Sequence, residues 1–145
     1  WYTSDLNRAK QTAKIIQQQM GKKQPIVEDP LLRERFPCDP VPNFGNRKKA
    51  RIESMEKVED GFEKYFHRPK HHGHTSTDVI VGHTNVLRYF LLRAMQLPPE
   101  AWLRFSLPHC SITSIKINGT GVVRVNMIGA TGHLEGELHS VRNLP

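Results

Sequence analysis

Asp78-Val79-Ile80-Val81-Gly82-His83-Thr84-Asn85-Val86-Leu87-Arg88-Tyr89-Phe90-Leu91-Leu92-Arg93-Ala94-Met95 changes its hydrophobic period in the middle and carries a histidine at the change. Asp78 to Val81 is short, apolar and β-branched, the pattern of a strand buried on both faces of a parallel sheet. Gly82 ends it. Thr84 or Asn85 can cap free backbone N–H groups. Val86, Leu87, Tyr89, Phe90, Leu91, Leu92, Ala94 and Met95 then read as a helix until Pro98 and Pro99 forbid continuation. His83 is thereby expected between the carboxyl end of a strand and the amino end of a helix. Open α/β sheets bind ligands there, and the free N–H groups and dipole of the helix favour an anion. On local context alone, the competing reading is a packed or surface ring.

Upstream, Trp1 to Thr3 reads as the end of a strand, and Ser4-Asp5-Leu6-Asn7 as the cap of a helix through Arg8, Ala9, Thr12, Ala13, Ile15 and Ile16. Gly21 should stop it, with Ala9, Ala13 and Ile16 falling at helical spacing. Arg8 lies in the first turn, where a cation opposes the helix dipole, so a bound anion would compensate it. Pro25 to Glu28 reads as a short strand, and Pro37 to Phe44 as an irregular loop. Arg47 to Phe66 predicts an amphipathic helix, with Ile52, Met55, Val58, Phe62, Tyr65 and Phe66 facing a core.

The polar stretch that follows holds His67, His71, His72 and His74, but no Cys or carboxylate at ligand spacing, so a mobile loop is expected rather than a metal site. Downstream, Ser111 to Ile117 and Val122 to Ile128 alternate around Asn118-Gly119-Thr120-Gly121, which predicts a hairpin. After Gly129 there is no clear period. The sequence predicts a single domain over 1–145, an α/β sandwich with a mixed, mostly parallel sheet.

At 145 residues, 37% hydrophobic and 24% charged, the chain has the composition of a globular domain. No run reaches the length of a membrane span, and the first residues form no signal peptide. A net charge of +7 points toward an anionic partner, or toward lysines that are simply solvated surface. Basic residues are not interleaved with aromatics in a stripe, which speaks against nucleic acid. Two cysteines, Cys38 and Cys110, make no disulfide framework and suit a reducing compartment. The opening Trp1-Tyr2-Thr3, without an initiator Met, reads as the inside of a strand and hence as a fragment.

Three features line up with a known family. Ser4-Asp5-Leu6-Asn7-Arg8-Ala9-Lys10-Gln11-Thr12-Ala13 resembles the Ser-x-x-x-Arg-Ala-x-x-Thr-Ala helix start of the histidine phosphatase superfamily, which has the phosphoglycerate mutase-like fold. Leu32-Arg33-Glu34 resembles its Leu-x-Glu, and Val81-Gly82-His83 its second-histidine motif. Leu31 to Glu34, Tyr65 to Arg68, His83 to Tyr89, and Leu97 through Thr113 are similar to the member-five branch of the phosphoglycerate mutase family. That branch comprises mitochondrial protein phosphatases acting on phosphoserine and phosphothreonine. The likeness covers roughly Trp1 to Gly132.

The resemblance implies a three-layer sandwich and phosphomonoester hydrolysis through a phosphohistidine. Arg8 would clamp the phosphate, His83 would donate to a phosphate oxygen as it gains charge, and Glu34 would protonate the departing oxygen and then activate water. It implies no metal and no cofactor, phosphoprotein substrates, self-association and a mitochondrial setting. Any membrane anchor would lie in residues outside this chain. Arg35-Phe36 stand where the branch has Gly-Ala, and their bulk could re-aim the loop or narrow the site.

The family's nucleophile is the histidine of Arg-His-Gly or Arg-His-Ser at the end of its first strand, and no such motif occurs here. Two readings follow. One is a phosphatase whose first strand and nucleophile lie outside these residues, leaving the chain as given inactive. The other is a non-catalytic pseudophosphatase that binds phosphorylated or anionic partners through Arg8 and His83.

Overall fold

Three short parallel strands set the frame. The computed structural model describes residues 1–21, 23–42, 52–68 and 75–141. In it, β1 (Tyr2–Thr3) lies between β2 (Val27–Glu28) and β3 (Ile80–Val81). Tyr2 is level with Val27 and Ile80, and Thr3 with Glu28 and Val81. The ladder continues one step further: Asp29 N donates to Thr3 O at 2.8 Å and Ser4 N to Val81 O at 3.0 Å. The chain therefore leaves all three strands at the same height.

From β1 the chain passes through α1 (Asn7–Gln19) to β2, then back past β1 through α2 (Ile52–Tyr65) to β3. Right-handed crossovers taken in opposite directions put α1 and α2 on opposite faces, which gives three layers. The direction of travel reverses across β1, and that makes the carboxyl edge of β1 and β3 a topological switch point.

Helix α1 can lie close to the sheet because its inner face is small: Ala9 is 4% exposed and Ala13 fully buried. Gly21 ends it in the left-handed region at φ 62, with its N–H on Gln18 O. Ile16 is 38% exposed, so the apolar stripe stops at Ala13. Helix α2 buries Val58 and Gly61. A Cβ at Gly61 would sit 3.1 Å from Phe90 Cζ and 3.3 Å from Leu31 O, so the missing side chain lets α2 close on α3 (Thr84–Ala94) and on the 3-10 turn Pro30–Leu32.

The expectation that Met55 and Ile52 face the core is corrected, because both are exposed. Among the described residues α2 is buried at Val58 and Gly61; in its first turn Ile52 and Met55 are exposed, while Ser54 Oγ donates to Phe36 O at 3.1 Å. The sequence-based start of this helix, near Arg47, lies outside the described residues.

Helix α3 buries nearly all of its apolar surface: Val86, Phe90, Leu91 and Leu92 are each 1% exposed. Val86, Phe90 and Leu92 form one core with Leu32, Val58 and Trp102, worth about 1.5 to 3 kcal/mol for each large side chain. Phe90 also meets Phe66, with ring centroids 5.5 Å apart. Trp102 donates from Nε1 to Cys38 O at 3.0 Å. Burial pushes the Cys38 thiol up to about 12, and both cysteines are free.

β4 (Ile112–Ile117) and β5 (Val123–Ala130) form the predicted hairpin, its turn held by Asn118 Oδ1, which accepts from Thr120 N and Val122 N. The sheet departs from expectation in two ways. β4 and β5 make their own antiparallel ladder instead of joining one mixed sheet, because no strand among the described residues bridges β3 and β4. β3 is also shorter than the run from Asp78 to Val81 and only half-buried, since among the described residues a strand pairs with it on its β1 side alone. No helix among the described residues is long and apolar enough to cross a membrane.

Candidate active site

Each of the three loops at the carboxyl edge of the sheet carries a residue singled out from the sequence. Residues 4–6 lead from β1 to Arg8, Asp29 to Arg33 lead from β2 to Glu34, and Gly82 leads from β3 to His83.

His83 keeps an extended backbone, φ −123 and ψ 147, at the N-cap of α3, where its carbonyl accepts from Leu87 N at 2.9 Å. Its ring does not cap that helix. It reaches across to the β1 loop, with Nε2 3.0 Å from Ser4 Oγ and Nδ1 3.3 Å from Arg8 Nε. A guanidinium only donates, so Nδ1 is the acceptor and the proton of the neutral ring sits on Nε2, donated to Ser4 Oγ. Burial first, and the Arg8 charge second, hold His83 down to about 4, so the ring is uncharged at neutral pH.

Arg8 is exposed while His83 beneath it is only 6% exposed, so the guanidinium covers Nδ1. The first turn of α1 holds no acidic side chain, so nothing within it offsets the positive end of the helix. Asp5 is engaged elsewhere, in a two-pronged pair with Arg33, Nε to Oδ1 at 2.7 Å and Nη2 to Oδ2 at 2.6 Å. The Arg33 hydrogen bonds hold the Asp5 carboxyl below its ordinary range. The site therefore presents a cation and a neutral imidazole, an arrangement that attracts an oxyanion.

Glu34 is half-buried on the adjoining loop. Asp29, 5% exposed, roots that loop: Oδ1 caps Leu31 N at 2.9 Å, and Oδ2 accepts from Lys64 Nζ at 2.7 Å and Tyr65 Oη at 2.5 Å. Burial opposes its charge, but these donors outweigh burial and keep the carboxyl below its usual range. The loop approaches β3 through Leu32 O, which would lie 3.7 Å from a Cβ at Gly82. Phe36 packs edge-on against Trp102, with centroids 5.1 Å apart, and Arg35 Nη2 donates back to Pro30 O at 3.1 Å.

The structure thus brings Arg8 and His83 into direct contact and sets Glu34 on the neighbouring loop. Arg33, next to Glu34 in the sequence, is paired with Asp5. Ser4, read only as a cap, is the hydrogen-bond partner of His83, and its Oγ also accepts from Leu6 N at 3.2 Å. Asp29 before Pro30 is a recognisable turn-starting signal, but its contacts with α2 have no signal in spacing.

Among the described residues no group of three His, Cys, Asp or Glu side chains is placed to hold a metal ion. His71, His72 and His74 lie outside them. A groove of about 410 Å³ lined by Val41, Pro98, Glu100, Ala101 and Arg104 shares no residue with the site.

The profile of the histidine phosphatase superfamily (branch 1) matches residues 1–40 and 39–128. The mitochondrial serine/threonine-protein phosphatase Pgam5 of Drosophila melanogaster is 38% identical over 141 residues, 93% of this chain and 48% of that protein. Its Caenorhabditis briggsae counterpart is 38% identical over 135 residues, 90% of this chain and 48% of that protein. The chain spans about half the length of the curated relatives it matches.

Among solved structures, phosphoglycerate mutase from Plasmodium falciparum is similar at TM-score 0.60 and 30% identity, over 93% of this chain and 72% of that one. The alpha-ribazole phosphatase of Shigella flexneri shares the fold at TM-score 0.66 and 18% identity, over 89% and 72%. Matched in profile over most of its length, and in fold by enzymes of this type, the chain belongs to the histidine phosphatase superfamily.

Proposed function

We propose that this chain supplies the phosphate-binding and proton-transfer residues of a protein serine/threonine phosphatase. The observation that carries the reading is the exposed Arg8 guanidinium lying on the buried ring of His83 at the switch point. In phosphoryl transfer, charge spreads over the equatorial oxygens, and catalysis is mostly positioning and electrostatic stabilisation. Arg8 offers a planar fork for two oxygens, which Lys cannot reproduce, and His83 donates to a third position once its Nδ1 carries a proton.

A histidine supplied from outside these 145 residues attacks phosphorus as the bond to the serine or threonine oxygen breaks. Glu34 gives that oxygen its proton. Water then attacks the phosphohistidine, Glu34 takes the water proton, and phosphate and free histidine result. Relatives named mitochondrial serine/threonine-protein phosphatases support phosphoprotein substrates and a mitochondrial setting.

The sequence contains no Arg-His-Gly or Arg-His-Ser. That favours a second reading for the chain by itself: an anion-binding, non-catalytic partner of phosphorylated proteins. Phosphopeptide hydrolysis, measured on this chain and on a form extended at its N-terminus to the length of the relatives, separates the two. Turnover by the extended form alone supports the phosphatase. Phosphopeptide binding without turnover by either form supports the interaction protein.

A further inference from the structure

We propose that the outer face of the β4–β5 hairpin is a docking surface for an acidic segment of a partner protein. Lys116 and Arg124 stand directly opposite each other across this antiparallel ladder, and both are exposed. The pairs on either side of them, Ile115 with Val125 and Ile117 with Val123, are half-buried, so the two cations share the open face. Like charges facing one another across two strands oppose the pairing instead of supporting it.

Among the described residues no carboxylate pairs with them. From Ala101 to Leu134 the sequence holds no Asp or Glu, although it holds Arg104, Lys116 and Arg124. The ion pairs of the described residues include neither Lys116 nor Arg124, nor Arg68. Arg68, also exposed, brings a third cation to the same end of the hairpin. The place of a Cβ on Gly121 is 2.5 Å from its Nε and 2.9 Å from its Cζ, so the guanidinium rests on the turn.

The rest of the face selects a peptide over other anions. Strand alternation puts Ile112 and Ser114 on the side of Lys116. Asn126 Nδ2 donates to Ser114 Oγ at 3.4 Å, and Met127 is the register partner of Ser114. Ile112 is 50% exposed and Met127 44%. The surface thus runs from cations near the turn, through a polar pair, to apolar side chains at the far end. Two acidic residues followed by aliphatic ones complement it in that order. No Phe, Tyr or Trp occurs from Ser106 to Pro145, so the face offers no platform for stacked bases and no aromatic ring for a lipid headgroup layer.

This face shares no residue with the candidate active site, so the proposal and the phosphatase reading stand or fall separately. The probe is a fluorescent peptide with paired glutamates followed by leucines, and anisotropy on the whole chain is the measurement. The peptide should bind, and more weakly as salt rises. It should lose affinity by about tenfold or more when its glutamates become glutamines, or when Lys116→Glu and Arg124→Glu are combined. A peptide with lysines for the glutamates should bind that double variant instead, which also shows the variant to be folded. Backbone amide shifts on adding the acidic peptide should cluster in residues 112–128. Arg124→Glu alone should raise Tm while weakening the peptide, because it turns a repulsive cross-strand pair into an attractive one.

Absence of peptide binding, equal binding by wild type and the double variant, or shifts confined to other surfaces overturns the proposal. So does tighter binding of a single-stranded oligonucleotide or of phosphatidylserine vesicles through the same two residues. A lower Tm in Arg124→Glu would show that Lys116 and Arg124 do not repel, and overturns it as well.

Discussion

Arg33 grips Asp5 with two parallel hydrogen bonds, and in doing so ties the loop that carries Glu34 to the loop that leads into Arg8. The pair spans 28 residues of sequence and joins the carboxyl ends of β1 and β2. The ring of His83 is hydrogen-bonded to Arg8 and Ser4, not to this pair. The effect of the pair is to fix the spacing of two candidate groups.

Breaking that grip should affect function more than folding. Arg33 is half-exposed and solvent-screened, so Arg33→Gln or Asp5→Asn should leave the urea unfolding midpoint almost unchanged. Turnover of the N-terminally extended form should fall by about tenfold to a hundredfold, the cost of a small misplacement of a reacting group. The double substitution should cost little more than either single one. Additive losses would show that the two residues act separately.

Arg8→Ala and His83→Ala should each lower turnover of the extended form by about two orders of magnitude, as removal of a charge-stabilising donor does. Arg8→Lys should recover only part of the loss, because an ammonium lacks the planar fork. Steady-state kinetics on a phosphopeptide test all three. Full activity in Arg8→Lys would mean that charge alone is needed there.

Glu34→Gln should slow phosphoserine peptides far more than aryl phosphates such as p-nitrophenyl phosphate, whose leaving group departs with little help from a proton. The ratio of the two rates is the measurement. Equal slowing would assign Glu34 to holding the loop.

Acid should destabilise the fold partly through His83. Its folded value, about 4, lies below the ordinary 6.5, so between these values the unfolded chain binds the extra proton. This contribution is complete above about pH 6.5 and is lost as pH falls toward 4, amounting to about 3 kcal/mol at most. Asp29 and Glu59, also held low, add to the loss at lower pH. Urea unfolding from pH 7 to 4 should show a shallower slope in His83→Gln than in wild type.

Asp29→Ala should destabilise by about 2 to 4 kcal/mol, because it strips a buried acceptor from Tyr65, Lys64 and Leu31 N together. Tyr65→Phe should cost less than Asp29→Ala, since it removes one of those donors. Thermal or urea denaturation gives both values.

The sequence placed His83 correctly because the change from strand period to helix period is local, and a residue at that junction has few places to be. The Arg8 position followed from the same logic applied to α1, and the hairpin from its alternation and turn. What could not be read depended on contacts between distant segments. Arg33 has acidic residues within reach both in sequence and in space, and only the register of β1 against β2 decides for Asp5. Met55 lies on the apolar stripe of α2, yet among the described residues it is left exposed. The separate ladder of β4 and β5 is likewise a matter of what stands beside each strand, which no periodicity encodes.

The root of the Glu34 loop has a consequence for how variation in this chain should be read. Because one carboxylate, Asp29, is shared by Lys64 and Tyr65 at the far end of α2, that helix and the loop form a single lever. Replacements in the last turn of α2, remote in sequence from every group that would meet a substrate, should surface as altered catalysis, while replacements at the exposed Ile52 and Met55 of its first turn should pass unnoticed.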